Sequence, residues 1–481
     1  MIGLVAVSSA QSMEWSNSRK LKGSAVFTSV IGENSDGIYL LRYRNKFLSR
    51  SIIIERYRHQ MGLALSRSIV LKKSRLLHVE LQKDRIILIL SRFNRKEMRN
   101  QVVYQVYDND VEPIGEEQII LESTLNDFYD KGDFRIRISN DRKRFLITHT
   151  EQSADGNRVL VSALLDDSLK LVHSKRWELD VKYDAFALHD ILVDNSGNAY
   201  YLVNDHELTS RRNSEVPLDW RLFWYNPASD SMHDFEIIDS GFVLMGPHMS
   251  WDRGQNKINI TAFYSGVEEV HDIIGLFNFY IKPIGIGAAK AQYHEFSADF
   301  KSVLTGENPT VGLEGVRNFK ILDVLPNSNG GLSIVAERSS FTFESDVIYV
   351  NGIPQSTSRN IYNYEDVLVM ALEPDLRIRW YHLINKSQSS LNDGGYYSSI
   401  ITANTRSRIY VIYNDRLRTN GDVIQYTFTS DGEMNHKILI RSSEEYISVI
   451  PREARQIGYN KVILPVSKDK KFALLKLEYP K

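Results

Sequence analysis

The sequence predicts an all-β chain, and three observations predict it. Helical periodicity is nearly absent, while short β-branched and aromatic runs bounded by turn residues dominate. A polar turn followed by an apolar strand recurs eight times: Asn34 to Tyr43, Gln82 to Leu90, Ser139 to Thr148, Asp194 to Val203, Trp251 to Phe263, Pro326 to Glu337, Ala403 to Tyr413 and Gly458 to Val466. Between these lies a second hairpin type with a tight Asp-containing turn, seen in Arg158 to Leu179, Arg221 to Ile238, Asp366 to Ile384 and Asp422 to Ile440.

Two alternating hairpins make a four-stranded antiparallel unit, and eight such units in 481 residues average roughly 60 residues each. That is the length of a β-propeller blade with its loops. The expectation is a single propeller over residues 12–481, with eight blades and seven as the alternative. The last unit stops at KFALLKLEYPK, a third strand lacking its outer partner, while Ser12 to Gly23 near the start is a strand-like piece preceding the first hairpin. Pairing the two would close the ring and remove an exposed sheet edge.

Composition narrows the functions. Hydrophobic residues make up 42% and charged residues 25%, enough to bury a large core. Lys+Arg (59) against Asp+Glu (60) gives a net charge of -1, so no global basic field is present to hold nucleic acid through its phosphates. The absence of cysteine excludes disulfides, thiolate metal sites and a thiol nucleophile. No run of about 18 apolar residues is present to span a membrane as a helix. The start, MIGLVAVSSAQS, has an apolar run ending in small residues, like the end of a secretory signal without its positive leader. Residues 1–11 are therefore expected to be the remnant of a signal peptide or a disordered terminus, and the mature chain is expected to be exported to the periplasm or cell envelope.

Four long connections, 204–219, 301–316, 339–365 and 385–399, all fall where a propeller joins its second and third strands or one blade to the next. They therefore share one face. Connections this long are most often functional or disordered, and these carry aromatics, including Phe341, Phe343, Tyr349, Tyr362, Tyr364, Tyr396 and Tyr397, which disordered segments generally lack. An ordered binding face is the expectation.

Catalytic signals are weak. There is no His-Glu-x-x-His and no Gly-x-Ser-x-Gly elbow, and GIGAAK (Gly285 to Lys290) lacks the third Gly of a dinucleotide fingerprint. Asp108, Asp110 and Glu112 open like a calcium loop, but Pro113 stands where a Gly is needed. Ser250, Asp252 and Gly254 match only the opening of a sialidase-type Asp box, a turn-stabilising motif. Glu365, Asp366 and Asp393 are candidate rim carboxylates for a polysaccharide-acting enzyme. The leading expectation is a noncatalytic binding protein without metal or cofactor, with an enzyme or a glycan-binding module as alternatives. Asn392, Asp393, Gly394 and Gly395 are explained by turn chemistry, whereas Lys386, Gln388, Tyr396 and Tyr397 are less so.

The segment Glu365 to Ser399 resembles a stretch of large cell-envelope proteins of Bacteroidota, the matching positions being Trp380, Lys386, Gln388, Asn392, Asp393, Gly394 and Tyr397. Some of those proteins act as the plug subunit in the barrel pore of the outer-membrane type nine secretion translocon. The resemblance implies a noncatalytic periplasmic partner of such a barrel, with Lys386, Gln388, Asn392, Asp393, Tyr396 and Tyr397 at the docking surface. Leu376 departs from the pattern, since such proteins tend to carry Gly after the turn Asp.

Overall fold

A strand such as Gly37–Tyr43 is buried along almost its whole length, yet its side chains alternate between two different cores. Ile38 and Leu40 pack with Ile463, Phe472 and Leu474 on one side, while Tyr39 and Leu41 pack with Val79, Leu81 and Leu88 on the other. Continuous apolar strands of this kind must be covered on both faces.

The computed structural model meets that demand by arranging eight antiparallel sheets in a ring. It describes residues 11–20, 27–43, 51–94, 96–124, 134–182, 186–205, 219–238, 241–282, 290–307, 315–350, 353–417, 421–442, 447–468 and 471–480. Blades one to seven occupy 27–70, 75–124, 135–182, 186–236, 242–295, 319–384 and 401–440, each a meander with its four strands in chain order. The eighth, 447–478, supplies three strands and takes Ser12–Trp15 as its outermost one. The chain is an eight-bladed β-propeller. Eight apolar clusters fill it, one between each pair of neighbouring blades.

Closure follows the expected route. Ser12 pairs with Glu478 and Trp15 with Leu475, antiparallel to the final strand. Arg19 and Phe472 then exchange backbone hydrogen bonds of 2.9 and 2.8 Å. The Arg19 guanidinium continues into blade one, donating to the Tyr57 hydroxyl at 2.8 Å and pairing with the fully buried Glu55 carboxylate, which Arg42 also contacts at 2.9 Å. One N-terminal segment thus completes blade eight and neutralises a buried charge in blade one. The signal-like residues 1–10 lie outside the described residues.

Two predicted loops are not loops. Residues 339–350 and 353–365 belong to the strands Leu332–Val350 and Ile353–Leu372, which stay paired, past one register shift between Glu337 and Ser339, up to the pair Val350 and Ile353. The sequence reading stopped these strands where the buried run ends, but their hydrogen bonds continue into a projecting two-stranded ribbon. Within 301–316, residues up to Thr305 belong to the helix Ala298–Thr305. Ser297 caps its start by accepting from Phe300 N at 3.2 Å, left-handed Gly306 ends it, and Phe300 and Leu304 are buried between blades five and six. Residues 206–218 and 308–314 of the predicted loops fall outside the described residues.

The recurrent hairpin turn has a common design. Asp108, Asp166 and Asp194 each accept hydrogen bonds from the backbone N–H groups two and four residues on, at 2.8–2.9 Å. The calcium-like Asp108 is thus a turn residue. The fourth position of each turn is left-handed, as it is in a fourth turn that starts at Glu373: Gly197 has φ 92°, but Val111, Leu169 and Leu376 also have φ of 62°, 64° and 67°. Such a backbone costs a non-glycine residue about 1–2 kcal/mol. Burying an aliphatic side chain contributes about 1.5–3 kcal/mol, and Val111, Leu169 and Leu376 are 5%, 5% and 2% exposed. Packing therefore outweighs strain, which is why Leu376 stands where the resembling proteins tend to carry Gly.

Two outcomes are expected. Leu376→Gly relieves the backbone but empties its place between blades five and six, and should lower stability by about 1–3 kcal/mol in denaturant titration. Deletion of residues 12–23 should lower the melting temperature of the whole ring; an unchanged melt would show that the closing strand is dispensable.

Candidate functional site

The ribbon 339–364 and the segment 385–399 rise from the same face, as connections between the second and third strands and from blade six to blade seven. Strand alternation and register place Phe341, Phe343, Val347 and Tyr362 on one side of the ribbon. Phe341, Phe343 and Val347 are 59%, 60% and 62% exposed, and the Phe341 and Tyr362 rings lie 5.2 Å apart. The other side is polar, with Arg359 paired to Glu344 at 2.6 Å.

The segment 385–399 supports this ribbon. Gln388–Leu391 forms a short strand against Ile361–Tyr364. Lys386 and Gln388, expected to meet a partner, are instead buried, at 5% and 3% exposure. This corrects the expectation that they touch a partner directly. The Lys386 ammonium faces three acceptors, which matches its three hydrogens: the Glu337 carboxylate at 2.9 Å, the Tyr364 carbonyl at 3.0 Å and Gln388 Oε1 at 3.1 Å. Burial lowers its pKa from the ordinary lysine value, and the Glu337 charge opposes that shift. Gln388 donates to the Asn414 carbonyl at 2.7 Å and accepts from Ser399 N at 2.8 Å. Asn414 in turn bonds the backbones of Tyr397 and Val449. The network ties blades six, seven and eight together under the ribbon.

The remaining predicted residues lie nearer the surface. Asn392, left-handed at φ 55°, exchanges two hydrogen bonds of 2.8 and 2.9 Å with the Asn360 backbone in the ribbon. Asp393 accepts from Gly395 N at 2.9 Å, holding the turn. Gly395 is required twice over: its φ is 69°, and a Cβ there would come within 2.6 Å of the Tyr364 ring. Tyr396 and Tyr397 are half-buried with rings 4.9 Å apart, edge to face. Burial, then the neighbouring Tyr397, Glu453 and Tyr43, raises the Tyr396 phenol pKa. Tyr43 is itself pushed up to about 12 by burial and Glu453. Arg452 closes the cluster by donating to the Tyr364 hydroxyl, its guanidinium 5.5 Å from the ring centre.

Sequence reasoning missed Glu337, Asn414, Arg452 and Glu453. Glu337 closes the buried apolar run of its strand and Asn414 ends its own, and a polar residue in that buried position was the available signal. Arg452 and Glu453 lie in a 3-10 turn, Pro451–Glu453, between two short inner-strand pieces of blade eight, and no local pattern announces it.

The resemblance residue Trp380 has an internal role, stacking 6.3 Å from Phe428 and donating to the Ser430 carbonyl at 3.1 Å. It packs blade six on blade seven. Of the rim carboxylates, Asp366 lies 3.7 Å from Arg338. Among the described residues no cluster of three or more His, Asp or Glu has metal-site geometry, and no helix is long and apolar enough to cross a membrane.

No protein-family model matches the chain, and no curated protein matches it. Among solved structures it is similar to the WD40 domain of SCAP from fission yeast, at 10% identity and TM-score 0.42 over 98% of each chain. It is also similar to polysaccharide lyase Uly1, at 11% identity and TM-score 0.40 over 96% of this chain and 100% of that one. A third similar structure is the β-propeller domain of the Trilobed protease from Pyrococcus furiosus, at 10% identity and TM-score 0.36 over 85% and 94%. These neighbours include enzymes and non-enzymes.

Replacing Lys386 by Ala should leave Glu337 buried without its cation. A loss of about 3–5 kcal/mol is expected in denaturant titration; a change below about 0.5 kcal/mol, as for an exposed residue, would place Lys386 at the surface.

Proposed function

We propose that this protein is a noncatalytic binding protein of the cell envelope that docks a protein partner through the ribbon-bearing face. The observation that carries the reading is the apolar stripe of Phe341, Phe343 and Val347, held clear of the body on a ribbon braced from below. Exposed aromatic groups on a rigid support lose little entropy on binding and are the usual anchors of an interface. The buried network around Lys386 supports the reading indirectly, since it fixes the base from which the ribbon projects. Export rests on the signal-like start, and the resemblance of Glu365 to Ser399 names the first partner to test: an outer-membrane secretion barrel that this protein would plug.

The test is affinity purification of tagged protein from detergent-solubilised envelope, comparing the wild type with a Phe341→Ser, Phe343→Ser variant. The expected result is a large outer-membrane barrel recovered with the wild type and at least about tenfold less with the variant, a loss of ~1.4 kcal/mol, at an unchanged melting temperature. Equal recovery with both proteins would remove the ribbon from the interface. Recovery of the bait alone would count against the barrel.

A further inference from the structure

A second feature lies at the opposite end of the ring, where the inner strands of blades three, four and five meet their first hairpin turns. A cavity of about 320 Å³ opens there between Arg135–Ile138, Phe186–Val193 and Phe242–Asp252, near the lower end of the range typical of small-molecule sites. Two of the three strands carry an irregularity at this point, between Leu188 and Asp190 and between Met245 and His248. Such bulges redirect side chains and are enriched beside functional sites.

The charged groups on its wall are one guanidinium, Arg137, and two carboxylates, Asp190 and Asp194. Arg137 pairs with Asp190 at 2.8 Å, so the two cancel. Both protein hydrogen bonds to the Asp190 carboxylate, from Arg137 and from Ile191 N, use Oδ1, which leaves Oδ2 for a ligand. Asp194 is already engaged within its own turn and with the Tyr200 hydroxyl. Burial lowers the pKa of His248 below the ordinary imidazole value, so at neutral pH its ring is uncharged and offers one donor and one acceptor. Among the described residues His248 makes no hydrogen bond. Ser250, 8% exposed, lines the same cavity with its hydroxyl buried and without a partner. An unpartnered buried hydroxyl is costly to keep and calls for an occupant. Trp251 adds a half-buried indole.

We propose that this cavity binds a neutral, polyhydroxylated ligand the size of one pyranose ring. Each hydroxyl of such a ligand both donates and accepts, which suits a wall made of a carboxylate oxygen, a guanidinium, an imidazole and a serine hydroxyl. Its apolar ring face suits Trp251. The proposal is independent of the docking role of the other face.

Saturation-transfer NMR with a panel of neutral methyl glycosides, methyl N-acetylglucosaminide and glucuronate tests it, on the wild type and on Ser250→Ala and His248→Ala. Binding of at least one neutral glycoside is expected, weakened about tenfold in each variant. Because the Ser250 hydroxyl bonds nothing in the protein, Ser250→Ala should keep or raise the melting temperature, so that variant decides the matter even if His248→Ala folds poorly. Absence of binding by every neutral glycoside, binding of glucuronate alone, or wild-type affinity in Ser250→Ala would each overturn the proposal.

Discussion

The structure depends on one constraint: every blade is apolar on both faces. A stack of such sheets would leave its two end faces bare, and curving the stack into a ring covers them against each other. The eight interblade clusters are thus the distributed core of the molecule, and the seam between blades eight and one has the same standing as the rest. That seam is also reinforced by polar contacts. Arg19 reaches the buried Glu55, Lys461 pairs with Glu33 at 3.1 Å, and Arg455 donates to the carbonyls of Val30 and Ile31.

A closed ring frees its two ends for other purposes, and the two ends are built differently here. At one, the polar segment 385–399 is folded inward rather than displayed. Its lysine and glutamine serve as internal struts, and the exposed chemistry passes to a ribbon that the segment buttresses. A composition rich in Ser, Asn and Gly therefore marks tight backbone crossings and a buried polar network in this protein. At the other end, short Asp- and Ser-anchored turns leave the inner strands to form the wall directly.

Much of this was legible in the residues. The repeat of turn and apolar strand gave the blade count, because the turn Asp residues and the unbroken run of Ile and Leu at positions 86 to 90 are local signals with local causes. The closing strand could be inferred because an unpaired edge has to be covered. The ribbon could not be read in the same way: its strands lack the buried apolar run that identifies the others, and their pairing depends on each other alone. The burial of Lys386 was hidden for a different reason, since its counterion Glu337 lies 49 positions earlier on another strand, and only the folded chain brings them within 2.9 Å. Leu376 shows the reverse case, where a position that local backbone rules assign to glycine is held by long-range packing.

The closing strand also bears on the order of events during synthesis. Ser12–Trp15 is synthesised before the seven blades that follow it and its partner Lys471–Glu478 after them, so the strand waits unpaired while seven blades form. The loop it must close spans seven whole blades, which makes this pairing the most non-local among the described strands and an entropically demanding step of folding. Until then the last blade presents an open edge able to accept a strand from another copy. For a propeller closed in this way, the interval between synthesis of blade eight and capture of the first strand is the period of greatest exposure to misassembly.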